Sequence, residues 1–338
     1  MKISFWLPHV KLSGGVRTIV TYAHWLKRFG YQVEVVVESK SAPRRFLANL
    51  LDRKPKWMQG YLNVPIRRTK SFLDSENFNS DIIVADSWGV VEKLGQVKTK
   101  AKRVHFIQHD ERLYHGDPAR VTKNYQLPFQ KIVISNWLKK IITADFATDS
   151  DLVLTSFDQK IFHPVNGTRR LGEIRILILD HSYVWKGTKE GVETVMKLKE
   201  KYPQVRLIGF GVRRRESDMS YDEYYFDLPQ SELATLYSSC DIYCCPSWHE
   251  GFGMPGLEAL ACGSCLVTYD NGGCLDYAHD GRTALVVPSR DQAALYRALE
   301  QAVTNESLRG RLQAQGLELA ATWPTWEQEA RLIESLIA

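Results

Sequence analysis

Two carboxylates eight positions apart, Glu250 and Glu258, lie in the stretch HEGFGMPGLE at residues 249–258. Two glycines between them release the backbone from side-chain sterics, and Pro255 has the conformation that suits the first turn of a helix. The pattern therefore predicts a loop that leads into a helix N-terminus, with Glu258 one turn inside the helix.

Carboxylates at such a place predict a ligand that combines sugar hydroxyls with phosphate. A carboxylate accepts hydrogen bonds through two oxygens, which matches the neighbouring hydroxyls of a ribose or a hexose. The helix N-terminus adds free N–H groups and partial positive charge, which suit phosphate. The alternative is that Glu250 is a solvated loop residue and Glu258 is an acid favoured only by the helix dipole.

Two weaker anion-binding features accompany this motif. Lys186 precedes a predicted helix start in HSYVWKGTKEGVETV, where its ammonium can join helix N–H groups around a phosphate. Gly14 and Gly15 form a predicted turn between the first strand and a helix, although they do not match the G-x-G-x-x-G dinucleotide pattern. Each has an ordinary alternative, a surface lysine and a structural turn.

Length and composition indicate a two-domain globular protein. The chain has 338 residues, of which 44% are hydrophobic and 25% charged. The first residues do not resemble a secretory leader, and no apolar run is long enough to span a membrane, so we expect a cytoplasmic protein. All six cysteines lie within residues 240–274, where reduced and packed thiols are favoured over a zinc site.

Charge is divided unevenly between the two halves. Residues 1–163 hold 26 Lys and Arg against 15 Asp and Glu, whereas residues 164–338 hold 18 against 24. A basic first half suits an anionic membrane surface or a phosphorylated acceptor. Nucleic acid is not expected as a partner, because its usual binding motifs are absent from the sequence.

Residues 40–70 concentrate this charge, with nine basic residues interleaved with aromatic and aliphatic ones. Such a mixture is typical of an interfacial membrane contact, and one interpretation is peripheral binding to an anionic membrane. The alternative is a solvated loop and helix whose apolar side covers the first domain.

Short β-rich runs alternate with amphipathic helical stretches, which predicts an α/β protein with parallel sheets. The alternation restarts after FHPVNGTRRLGE. We therefore predict two doubly wound, Rossmann-like domains, at residues 1–163 and 164–322. The helical stretch at 323–338 is predicted to cross back to the N-terminal domain.

The block CPSWHEGFGMPGLEALACGSCLVTYDNGGCLDYAHDGRTALVVP resembles the retaining glycosyltransferases of family 4, which have the GT-B fold and an E-x7-E motif. The resemblance implies two Rossmann-like domains that face a central cleft. It assigns Glu258 to the nucleotide ribose, Glu250 to the donor sugar, and His109 to the neighbourhood of the transferred sugar. The other residues that it assigns to the donor and its diphosphate are Gly14, Gly15, His181, Lys186, Gly251, Phe252, Gly253 and Met254.

The implied reaction is transfer, with retention, from a UDP-, GDP- or dTDP-sugar to a glycan or lipid-linked acceptor in surface polysaccharide synthesis. The resemblance implies no metal and no cofactor beyond the nucleotide-sugar co-substrate. The stretches FIQHDERLYHGD and YQLPFQKIVISNWLKK are similar to the subgroup that includes rhamnan-assembling rhamnosyltransferases.

The chain departs from the family at Asp180-His181, where relatives carry a Gly-Arg pair that binds diphosphate. The candidates to replace that charge are a protonated His181 and the arginine run at 213–215, and the alternative for the run is a solvated loop. Two other interpretations stay open, the first because of this departure and the second because the architecture is shared. One is a non-catalytic subunit that binds a sugar nucleotide, and the other is a GT-B epimerase that alters the sugar nucleotide without an acceptor.

Overall fold

The structure, a computed structural model, describes residues 1–51, 53–58, 62–74, 78–114, 116–214 and 219–338. Within these residues the strands are β1 (Lys2–Leu7), β2 (Gln32–Glu38), β3 (Ile66–Thr69), β4 (Ile82–Ala85), β5 (Lys102–Ile107), β6 (Gln130–Val133), β7 (Asp151–Leu152), β8 (Ile174–Leu179), β9 (Val205–Gly211), β10 (Glu223–Phe226), β11 (Ile242–Cys245), β12 (Cys265–Tyr269) and β13 (Ala284–Val287). The helices are α1 (Gly14–Arg28), α2 (Ala42–Leu50), α3 (Trp88–Gln96), α4 (Pro118–Tyr125), α5 (Asn136–Phe146), α6 (Thr188–Lys201), α7 (Gln230–Ser239), α8 (Met254–Ala261), α9 (Gln292–Thr304), α10 (Glu306–Thr322) and α11 (Trp326–Ile337).

The chain divides into two compact units. Unit 1 comprises Met1–Thr155 together with Trp326–Ala338, and unit 2 comprises Ser156–Thr325. The observed divisions differ slightly from the predicted boundaries at 163 and 322. Helix α11 is grouped with unit 1, where it packs on α1. Its Trp326 ring meets the Tyr22 ring edge-on at 5.2 Å.

Unit 1 contains a parallel sheet with the strand order β3-β2-β1-β4-β5-β6-β7. Its central strands are rich in β-branched and aromatic residues and are almost wholly buried, as expected where helices cover both faces. Helix α1 begins at a Ser13 cap, whose hydroxyl accepts the Val16 N–H at 3.3 Å.

Unit 2 contains a second parallel sheet with the order β10-β9-β8-β11-β12-β13. Its core joins apolar residues of the central strands to the inward faces of α6, α9 and α10. The short strand β11, with the sequence IYCC, is buried at every position. The predicted α/β class with two Rossmann-like, parallel-sheet domains is confirmed.

The strand order of each sheet contains one reversal of direction. In unit 1 the chain winds outward in one direction from β1 and in the other from β4, and in unit 2 the same reversal separates β8 from β11. Loops after the two strands that flank such a reversal diverge, which leaves a crevice outside their carboxyl ends. The loops that follow β8 and β11 contain Lys186 and Glu250.

Several elements were not predicted from the sequence. They include β3 and β13, together with α3, α4 and α10. Strands β3 and β13 are four residues each and lie at or near a sheet edge, where a short run gives little periodicity.

The segment 40–70 divides into an inward part and an outward part. Met58 is buried, and the Trp57 indole N–H donates to the Val10 carbonyl at 3.1 Å, so this portion covers the domain as one interpretation predicted. Helix α2 does the opposite, since none of its nine residues, all of them described, is buried. The interpretation that the apolar side of the whole segment packs inward is therefore wrong for α2.

Candidate functional site

An ion pair between Lys186 and Glu250 lies at the strand-order reversal of unit 2. The Lys186 Nζ donates to Glu250 Oε1 at 2.7 Å and to Oε2 at 2.9 Å. Both side chains are largely withdrawn from solvent, with 20% and 13% of their surfaces exposed. Partial burial strengthens such a charge-assisted contact and holds the Lys186 ammonium against the Glu250 carboxylate.

Lys186 is held by the packing of the residue that follows it. Gly187 has a left-handed backbone with φ of 61° and serves as the N-cap of α6. A methyl group at Gly187 would lie only 1.9 Å from the Pro246 carbonyl oxygen, so a side chain is excluded there. The Trp248 N–H also donates to the Trp185 carbonyl at 2.8 Å. These contacts tie the loop after β8 to the loop after β11.

Glu250 is held through its backbone to the loop after β12. Its N–H donates to the Asn271 carbonyl at 2.8 Å, and its carbonyl accepts the Gly273 N–H at 3.1 Å. A Cβ atom at Gly273 would lie 2.5 Å from the backbone of residues 251 and 252. This close approach of two backbones explains the need for glycine at 273.

The glycine loop delivers the N-terminus of α8 beside this pair. Gly253 caps α8 with φ of 85°, and Met254 is the first helical residue. The Tyr277 hydroxyl donates to the Gly253 carbonyl at 2.5 Å, which fixes the turn. The neighbouring Phe252 ring is buried against Tyr277, with ring centroids 5.4 Å apart.

Glu258 lies inside α8 and is only 4% exposed. The Tyr237 hydroxyl donates to its Oε2 at 3.5 Å. Burial raises the pKa of Tyr243 well above its ordinary value, and the neighbouring Cys245, Glu250, Cys244 and Glu258 raise that pKa further. Both carboxylates of the E-x7-E pair are therefore close enough to act on the same buried ring.

His181 is neutral in this setting, so the prediction that it supplies a protonated charge is wrong. Burial, followed by the positive charges of Lys186 and Arg213, lowers the pKa of His181 to about 4. Its Nδ1 accepts the Tyr183 N–H at 3.1 Å, which leaves the ring proton on Nε2. The arginine run at 213–215 contributes Arg213 to this neighbourhood, whereas Arg215 lies outside the described residues.

The site residues predicted in unit 1 also lie close to one another. Gly14 and Gly15 are the first residues of α1, and the Gln108 side chain donates to the Gly15 carbonyl at 3.1 Å. His109 follows Gln108 at the end of β5 and is half-buried, with its ring edge-on to Tyr114. The structure thus groups Gly14, Gly15 and His109 in unit 1, and the other predicted site residues in unit 2.

Two acids of unit 1 were missed by sequence reasoning. Asp86 follows β4 at the strand-order reversal, and burial raises its pKa to about 7. Burial and the neighbouring Asp86 raise the pKa of Glu111 to about 8. The Asp86 Oδ1 atom is buried and has no hydrogen-bond partner among the described residues. The sequence signal was a single Asp after an apolar strand, which is common at strand ends.

No cluster of three or more metal-ligating side chains occurs among the described residues. The six cysteines are free and buried, and burial raises the pKa of Cys262 and Cys265 to about 12. Such thiols stay protonated and pack as small apolar groups. In the same described part of the chain, no helix has both the length and the apolar content that crossing a membrane requires.

Sequence comparison matches residues 165–318 to the family described as glycosyl transferases group 1. A D-inositol 3-phosphate glycosyltransferase of Stackebrandtia nassauensis is 37% identical over 99 residues, which are 29% of this chain and 22% of that protein. The capsular polysaccharide biosynthesis glycosyltransferase CapM of Staphylococcus aureus is 24% identical over 198 residues, which are 53% of this chain and 50% of CapM. The matches thus span half or less of these relatives.

Structural comparison covers the whole chain. The Anabaena HepE protein, solved in complex with UDP-glucose, superposes with a TM-score of 0.78 at 15% identity, over 99% of each chain. At that identity the likeness establishes the fold, and the predicted GT-B fold is confirmed. Unit 2 therefore carries the sequence pattern of the glycosyl transferases of group 1, on a chain with the GT-B fold.

Proposed function

We propose that this chain is a retaining glycosyltransferase that moves a sugar from a nucleotide diphosphate to a glycan or lipid-linked acceptor in surface polysaccharide synthesis. The observation that carries the proposal is the Lys186–Glu250 pair at the strand-order reversal, beside the N-termini of α6 and α8. A cation, a carboxylate and two helix N-termini match a ligand with both phosphate and hydroxyl groups.

Each charged group has a proposed role in donor binding. Glu258 accepts hydrogen bonds from the ribose hydroxyls, and Glu250 accepts them from the donor sugar. Lys186 binds the diphosphate together with the N–H groups at the start of α8. The pairing of Lys186 with Glu250 supports these roles, because it holds the ammonium at the edge of the sheet before the donor arrives.

His181 is proposed to replace the arginine of the family as a neutral donor rather than as a charge. Its Nδ1 is already occupied by the Tyr183 N–H, so the proton on Nε2 is available for a phosphate oxygen. Lys186 and Arg213 then supply the positive charge, since both act on His181 electrostatically. His109 and the Gly14-Gly15 turn keep the roles that the resemblance assigns to them.

The proposed chemistry breaks the anomeric C–O bond to the diphosphate and forms a C–O bond to the acceptor hydroxyl on the same face. The bonding electron pair leaves with the phosphate oxygen, which takes the proton of the acceptor hydroxyl. Negative charge grows on the diphosphate as an oxocarbenium-like state forms, and Lys186 with the helix N-termini stabilises that charge. The proposal therefore includes transfer without an added metal.

The names of similar proteins support this class of reaction and suggest where to search for substrates. One relative is a glycosyltransferase, another is a capsular polysaccharide biosynthesis glycosyltransferase, and the HepE structure contains UDP-glucose. UDP-glucose therefore belongs in the first set of donors. The resemblance to rhamnan-assembling enzymes adds dTDP-rhamnose.

The test is release of nucleoside diphosphate from a panel of UDP-, GDP- and dTDP-sugars, with and without lipid-linked glycan acceptors. We expect release that depends on acceptor, persists in EDTA, and yields a product whose anomeric configuration by NMR equals that of the donor. Glu250→Gln should reduce the rate about a hundredfold or more. Glu232→Gln, an exposed acid of α7, is the matched control and should not.

Other outcomes would identify the competing functions. Conversion of the donor to another sugar nucleotide without acceptor would establish an epimerase. Donor binding without turnover for any acceptor would indicate a non-catalytic subunit. An inverted product would contradict the retaining mechanism alone.

A further inference from the structure

Helix α2 of unit 1 presents its apolar side chains to solvent. Phe46 is 71% exposed, Leu47 44%, Leu50 68% and Leu51, the C-cap residue, 53%. Large apolar residues scattered singly over a surface are ordinary, but four within six positions form a patch. At about 100° per residue, these four side chains span an arc of about 140° on one face of the helix.

The attachment of α2 explains why this face is outward. The Asn49 side chain pairs with the backbone of Arg68 in β3, donating to the carbonyl at 2.9 Å and accepting the N–H at 2.8 Å. The Arg45 guanidinium donates to the Ser39 carbonyl at 2.8 Å. Polar groups therefore anchor the helix to unit 1, and the usual arrangement of an amphipathic surface helix is reversed.

Exposed positive charge surrounds the apolar face. Lys40 and Arg44 lie on its N-terminal side, and Arg53 and Lys56 follow its C-terminal end, all of them exposed. Within residues 40–70, the single acid of the sequence is Asp52. A protein-binding groove does not require such an excess of positive charge. An anionic lipid surface attracts each of these cations, and the apolar side chains can enter the boundary between headgroups and acyl chains.

We propose that α2 and its flanking basic residues bind the surface of an anionic lipid membrane. Phe46, Leu47, Leu50 and Leu51 insert at the headgroup boundary, and Lys40, Arg44, Arg53 and Lys56 contact anionic headgroups. This surface belongs to unit 1 and uses none of the residues proposed for donor binding. Its success or failure is therefore separate from that of the proposed transferase activity.

The experiment is flotation of the full chain with vesicles of phosphatidylcholine alone or with about 30% phosphatidylglycerol. We expect binding only to the anionic vesicles, weakening steeply as salt rises and screens the charges. Phe46→Ser combined with Leu50→Ser should weaken binding about tenfold or more, because two large apolar groups no longer leave water. Arg44→Gln and Arg53→Gln should each weaken it about fivefold.

The matched controls replace exposed apolar and basic residues of unit 1 that lie outside α2. Leu332→Ser on α11 removes a leucine that is 40% exposed, and Lys98→Gln with Lys100→Gln removes two exposed cations. These variants should bind as the unchanged protein does. Thermal melts of the α2 variants should be unaltered, since the replaced side chains are exposed.

Three results would overturn the proposal. The first is no binding to anionic vesicles, and the second is equal binding to vesicles of both compositions. The third is full binding by the Phe46→Ser, Leu50→Ser variant. If that variant instead converted a dimer to a monomer in sedimentation, with vesicle binding absent throughout, the face would belong to a second copy of the chain.

Discussion

The two units share a parallel, doubly wound sheet, yet they differ in how charge is held at the strand-order reversal. In unit 2 the acid after β11, Glu250, meets a cation after β8, Lys186, at 2.7 Å. In unit 1 the acid after β4 is Asp86, and the residues that follow β1 supply glycines and an N-cap serine. Burial raises the pKa of Asp86 to about 7, so this carboxyl is only about half ionised near neutral pH.

The two units also differ in how closely the backbone is packed around the glycines near the strand-order reversal. In unit 2, Gly187 and Gly273 contact other backbone segments so closely that no side chain fits. In unit 1, Gly15 faces the end of a flexible side chain, that of Gln108, and Gly14 faces open space. The backbone at the strand-order reversal is therefore more tightly packed in unit 2 than in unit 1. This agrees with a family match that covers unit 2 and not unit 1.

The largest expected effect is that of Lys186→Ala on transfer. The variant removes the cation proposed to stabilise the leaving diphosphate and leaves Glu250 without its observed partner, so we expect a rate lower by a hundredfold or more, about 3–4 kcal/mol. Initial rates with saturating donor and acceptor measure it. Lys189→Ala, at a position 82% exposed nearby, is the control and should retain the rate. A loss below threefold for Lys186→Ala would remove this residue from the chemistry.

The next effect is on stability and compares glycines. Gly187→Ala forces a methyl group against the Pro246 carbonyl in a left-handed backbone, and we expect a loss of about 3 kcal/mol or more. Gly15→Ala should cost about 1 kcal/mol or less, since the Gln108 side chain can move. Gly310→Ala, in open space within α10, should stabilise slightly. Urea denaturation measures all three, and equal losses at 187 and 15 would break the contrast between the units.

The smallest effect is the pH dependence of Asp86→Asn. The folded pKa of about 7 lies above the ordinary 3.8, so the folded state binds more protons between these values. Stability due to this group therefore falls as pH rises from about 4 to 7, and the asparagine variant avoids that loss. We expect the two Tm values to agree near pH 4 and the variant to have the higher Tm at pH 8. A constant difference across this range would mean that Asp86 is ionised throughout.

The sequence predicted those parts of the fold in which hydrophobic residues recur with the period of a strand or a helix. It also predicted those parts of the site whose residues match a family motif. The alternation of strands and helices predicted both sheets, and the E-x7-E block predicted the loop, the glycines and the helix start at α8. Less could be predicted where a property depends on the tertiary environment. The neutral state of His181 follows from burial beside Lys186 and Arg213, which no local spacing reports.

Helix α2 and Asp86 show the same limit. The apolar residues at 46–51 suggest an inward face by composition, and only the polar anchors to β3 and Ser39 turn that face outward. Asp86 is one acid after one strand in the sequence, and its importance comes from the strand order, which places it at the reversal.

The proposed transfer depends on binding of a nucleotide-sugar by unit 2 at the edge that holds Lys186, Glu250 and Glu258. The most direct measurement is calorimetric titration of the full chain with UDP-, GDP- and dTDP-sugars, beside a Glu258→Gln variant that keeps the size of the buried side chain. We expect at least one donor to bind the unchanged protein and Glu258→Gln to weaken that binding by tenfold or more, with an unaltered melt in the absence of ligand. Equal affinity in the two proteins, or no binding by any donor, would contradict it.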